Sequence, residues 1–102
     1  MHMAKVELSD SFNQNLVAGA ATTYAVASPT QITETTLADS GTLVRRYNFT
    51  AQKPTVEGFL VNNGQETALG TKDMSDFKDT PALSKAHTAL LREGGKPFGI
   101  RK

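Results

Sequence analysis

The spacing of apolar positions along this chain changes once. Between residues 22 and 69, apolar and polar residues alternate in short runs bounded by turn residues, the two-residue period of half-buried strands; from Leu83 to Leu91 they recur three and four apart, as on a helix. Residues 31–37 and 42–50 are rich in Thr, Ile, Val, Tyr and Phe and flank Ala38-Asp39-Ser40-Gly41, which predicts a first hairpin. Residues 55–61 and 65–69 flank Asn62-Asn63-Gly64. An Asn-Gly pair supplies the positive φ values that tight hairpin turns need, which predicts a second. Pro54 lacks an amide donor and biases Lys53 toward extended backbone, so it suits the connection between the two hairpins or an edge. Residues 4–8 and 22–28 read as short strands. Between them residues 9–17 form either a brief helix capped by Ser9 and presenting Phe12 and Leu16, or a loop; the pattern leaves both open.

The C-terminal third predicts a helix over 81–93. Thr80 can accept from the freed amides of a first turn, Pro81 has the fixed φ of a first helical position, and Leu83, Ala86, His87, Leu90 and Leu91 share one side. Gly94-Gly95 then ends it, since glycine takes the left-handed conformation that closes a helix. Residues 70–79 read as a loop with two apolar anchors, Met74 and Phe77. These elements describe an α+β fold: an antiparallel sheet of about five or six strands built from hairpins, with a C-terminal amphipathic helix. The length fits a single domain over residues 1–102. Met1-His2 reads as an expression-vector junction and residues 94–102 as a basic tail.

Composition shifts attention from the fold to its stability. Leu, Ile, Val and Phe fill 22 of 102 positions, close to the roughly 20% below which chains tend toward disorder. Thr and Ala occupy 25 positions, so many buried sites must be filled by side chains that remove little apolar area from water. Without cysteine there is no disulfide to offset a backbone ordering cost of ~1–2 kcal/mol per residue. A thin core with strand edges to satisfy predicts a homo-oligomer.

The net charge of +1 is unevenly spread, with −3 over residues 1–42 and +4 over 43–102. Two basic clusters, Arg45, Arg46 and Lys53 and the tail Arg92, Lys96, Arg101 and Lys102, stand out, but neither gives the strongly basic balance of a dedicated nucleic-acid binder. No leader pattern precedes the first strand and no run approaches the ~18–20 apolar residues of a membrane span, so the expected setting is the cytoplasm or a virion, with no membrane partner.

The chemical inventory excludes more than it offers. His87, the one imidazole outside the junction, sits on the apolar side of the helix, as a packing residue or as a general base. It has no companions at metal-ligand spacing. Asp73, Asp76 and Asp79 recur every third residue but miss the alternation of a calcium loop, and with Lys72 and Lys78 interleaved they read as a solvated acidic turn. Neither Gly70-Thr71-Lys72 nor Gly94-Gly95-Lys96 matches a phosphate loop. No serine sits in a nucleophile elbow. The expectation is therefore a protein that is not an enzyme and carries no cofactor and no metal.

The stretch 44–49 is the best binding candidate. As a strand it places Arg45, Tyr47 and Phe49 on one face and Val44, Arg46 and Asn48 on the other. Arg45, Arg46, Tyr47 and Phe49, with Arg101 and Lys102 in the tail, could neutralise phosphate and stack on unpaired bases. The competing reading places Tyr47 and Phe49 in the core and lets both arginines reach past the sheet edge into water. His87, Leu90 and Leu91 are the candidate subunit interface. The favoured function is a self-assembling structural subunit, by analogy with small Thr/Ala-rich virion and phage proteins. A small nucleic-acid-binding domain is the alternative.

Overall fold

Two-residue periodicity carries through into a meander in which each strand pairs with its sequence neighbour. The structure, a computed structural model, describes residues 21–38, 41–77 and 80–97. Strands β1 (Thr22–Ser28), β2 (Gln31–Ala38), β3 (Gly41–Asn48), β4 (Thr55–Asn62) and β5 (Gln65–Asp73) form one antiparallel sheet in the order β1-β2-β3-β4-β5, followed by a 3₁₀ turn (Met74–Asp76) and helix α1 (Thr80–Arg92). The fold is α+β. The strand predicted at 4–8 and the undecided segment 9–17 lie outside the described residues.

Turn chemistry sets the register. Asn63 and Gly64 both have positive φ, 54° and 77°, between the paired Asn62 and Gln65, which is the two-residue turn whose twist matches its strands. Gly41 pairs with Ala38 across the β2–β3 turn at a φ of 142°, and a Cβ there would stand 2.5 Å from the Val61 carbonyl oxygen. The expected loop at 70–79 is partly strand: β5 runs on to Asp73 because Gly70 to Asp73 stay paired with Gly58 to Thr55 beyond a bulge at Leu69. Met74 and Phe77 are anchors as expected, both buried.

Helix α1 lies across β1 and β2 and buries Ala82, Leu83, Ala86, Ala89 and Leu90. They meet Ile32, Tyr47, Phe49, Val56, Met74 and Phe77 in one cluster on a single face of the sheet. The helix closes where the glycines predict. Gly94 has a φ of 89°, its amide donates to the Leu91 carbonyl at 3.0 Å, and the Gly95 amide donates to that of Leu90 at 2.9 Å, so two orphan carbonyls of the last turn are satisfied. Lys96 N–H then donates to the Pro29 carbonyl at 2.7 Å, tying the helix end to the β1–β2 turn. Leu91 departs from the predicted stripe: it is 53% exposed, because one further 100° step carries it past the buried side that Leu90 occupies.

Among the described residues, no element covers the opposite face. Thr33, Thr35, Val44, Arg46, Glu57 and Phe59 remain half-buried there, and their row neighbours on the outer strands, Thr23, Ala25, Ala68 and Thr71, are exposed. No helix of the described residues is long and apolar enough to cross a membrane.

Candidate functional site

Strand β3 sorts the predicted binding residues onto two faces, as alternation requires, but the face with more of them turns inward. Arg45, Tyr47 and Phe49 are 5%, 0% and 1% exposed, so their rings and guanidinium belong to the helix–sheet layer. Both arginines were expected to reach water in the competing reading; Arg45 does not. It is held by Glu34, directly opposite on β2, with Nε donating to Oε1 at 2.5 Å. The Tyr47 hydroxyl donates to the same oxygen at 3.0 Å and the Tyr24 hydroxyl donates to Oε2 at 3.0 Å. A charge pair removed from water is tolerated when extra hydrogen bonds satisfy it, and the two phenols provide them.

The aromatic rings enclose this pair. Tyr47 stacks on Phe49 with centroids 6.2 Å apart, Phe77 meets Tyr47 edge-on at 6.1 Å, and the Arg45 guanidinium lies 5.7 Å from the centre of Phe77. Burial, reinforced by the charge and hydrogen bond of Glu34 and partly offset by Arg45, holds the Tyr47 phenol well above the usual tyrosine range.

Arg46 is the one residue of the four on the uncovered face. Its guanidinium lies 4.8 Å above the Phe59 ring and 3.4 Å from Glu57. Beside it Gln31 donates to Asn48 at 2.5 Å and Asn48 donates to Thr55 at 3.1 Å, a row of cross-strand amide and hydroxyl contacts. Arg101 and Lys102 lie outside the described residues.

The three candidate interface residues also separate. Leu90 is fully buried in the chain's own core, which withdraws it from any interface, whereas Leu91 is exposed. His87 is half-buried; its ring meets Phe49 edge-on at 5.1 Å, and its Nε2 is buried with no hydrogen-bond partner among the described residues. Among the described residues no group of three His, Cys, Asp or Glu side chains could hold a metal ion.

Sequence reading missed the Glu34–Arg45 pair, although two signals for it were present. Alternation in β2 puts Glu34 between Ile32 and Thr36 on the buried side, and a two-residue hairpin turn places it opposite Arg45. The chain matches no protein-family model, no curated protein and no solved structure.

Proposed function

We propose that this chain is a non-enzymatic structural subunit that assembles with copies of itself, of the kind that builds a virion or phage particle after synthesis in the cytoplasm. The observation that carries this reading is the state of β5. It is a nine-residue strand, exposed at seven positions, with no neighbour on its outer edge among the described residues, while α1 lies over β1 and β2 at the other side of the sheet. A strand edge of this kind offers unpaired amides and carbonyls to another chain. A second copy docking along it would extend the sheet and cover Leu60 and Leu69, which the single chain leaves only half-buried. The bulge at Leu69 restricts pairing to the stretches on either side of it. The helix also supports the reading, since three of the five side chains it buries, Ala82, Ala86 and Ala89, remove little area from water.

Light scattering at micromolar concentration tests this. A defined multimer is expected, and Glu66→Pro, which removes an amide from the outer edge of β5, should reduce its mass. A monomer at every concentration overturns the proposal.

Nucleic-acid binding is the second reading, and the observation in its favour is Arg46 on an uncovered face with Phe59 beneath it. Binding to a labelled single strand should then weaken steeply with salt. Arg46→Ala with unchanged affinity would end that reading.

A further inference from the structure

The face of the sheet that α1 leaves uncovered is ordered about the boundary between β3 and β4. In the register of these strands Val44 stands opposite Phe59, Arg46 opposite Glu57 and Asn48 opposite Thr55. One row is therefore apolar on both strands, the next carries a cation and an anion, and the third is polar and neutral. The ion pair is loose. Arg46 and Glu57 approach to 3.4 Å with side chains 35% and 31% exposed, so both keep hydrogen-bonding capacity for a further partner.

This pattern is complementary to itself. A half-turn about a line above the face, running along the strands between β3 and β4, lays β3 of one copy over β4 of the other and keeps every row at its own level. Arg46 then faces the partner's Glu57, Val44 the partner's Phe59 and Asn48 the partner's Thr55. A two-fold axis across the strands does worse, because it lays each strand over its own copy, and Arg46 then meets the partner's Arg46 or an uncharged row. The extent of the face also fits a dimer. Five strands at ~4.8 Å and eight residues at ~3.3 Å cover on the order of 600 Å² before side-chain relief, against the ~800 Å² that each partner gives to a standard interface.

We propose that this face closes on the same face of a second copy, so that the two sheets stack as a sandwich about the axis between β3 and β4. Sheets packed in this way lie ~10 Å apart with their strands within about 30° of alignment. The charges leave water as a neutral set of four, each Arg46 between its own Glu57 and the partner's, which avoids the cost of an unmatched buried charge. The contact covers Arg46 and so excludes nucleic acid from this face. It rests on the reading that copies associate, but not on the β5 edge.

The test is sedimentation equilibrium, from micromolar to millimolar concentration, on the Glu66→Pro variant, whose outer β5 edge is blocked. A failure of edge pairing shows separately, as equal masses for this variant and the parent. A dimer is expected. In this background Arg46→Glu and Glu57→Arg each set like charges across the axis and should each weaken the dimer at least about a hundredfold. An equal mixture of the two should dimerise again, since each then faces its opposite; neither variant keeps the pair within its own chain, so that pair cannot supply the rescue. Val44→Lys places a cation on a face that is solvated in the monomer and buried unmatched in the dimer. It should give a monomer with an unchanged circular dichroism spectrum. A background that stays monomeric at millimolar concentration overturns the proposal and leaves the face to another occupant, a nucleic acid or a segment of the same chain. Single charge variants as tightly dimeric as the background, a mixture of folded variants that stays monomeric, or a Val44→Lys dimer overturns it equally.

Discussion

Removing Arg45 alone should harm this protein more than removing the whole polar cluster around it. Both partners of the ion pair are buried, with side chains 7% and 4% exposed, so solvent screening gives little relief. Arg45→Met leaves the Glu34 carboxylate in the core with only phenol donors, and breaking one side of a buried pair costs about 3–5 kcal/mol. That is a large fraction of the ~5–15 kcal/mol expected of a domain. Adding Glu34→Leu removes the stranded charge but strands the Tyr47 hydroxyl, which is fully buried; an unsatisfied hydroxyl costs about 1–3 kcal/mol. Adding Tyr47→Phe as well removes that group too, so the triple variant should be more stable than either the single or the double variant. Tyr24 is half-buried, so its hydroxyl can turn to water. Urea unfolding followed by far-ultraviolet circular dichroism measures the series, which should run from worst to best as single, double, triple. A triple variant no more stable than Arg45→Met would refute the reasoning, because the cost would then lie in lost packing and not in an uncompensated charge.

Two further outcomes follow from the backbone and from Tyr47. Gly41→Ala should destabilise by more than Gly64→Ala: both need positive φ, worth about 1 kcal/mol, but only at Gly41 would the new methyl meet a backbone oxygen, at 2.5 Å. Equal midpoints in urea for the two variants would show that the Val61 carbonyl yields freely. Since folding raises the Tyr47 phenol, its contribution to stability is complete below the unfolded value of ~10 and is lost above it by about 1.4 kcal/mol per pH unit. Unfolding titrations between pH 9 and 11.5 should therefore fall more steeply for the parent than for Tyr47→Phe; parallel curves would count against this assignment.

Much of the architecture was legible in local pattern because local chemistry decides it. The Asn63-Gly64 turn, the Gly94-Gly95 helix end and the alternation through β2 and β3 each depend on backbone preferences within a few residues. The extension of β5 to Asp73 was not legible, since of Gly70 to Asp73 only Thr71 favours a strand and the segment is held by pairing to β4. For the same reason the inward face of β3 could be drawn as a row of Arg45, Tyr47 and Phe49 from the sequence, but its environment could not. Only the tertiary structure packs α1, Met74 and Phe77 against the face that carries that row, which turns a stripe suited to bases into a buried ion pair clasped by phenols and leaves Arg46 outside. Side-chain period is a property of one strand, whereas burial depends on which face the rest of the chain covers.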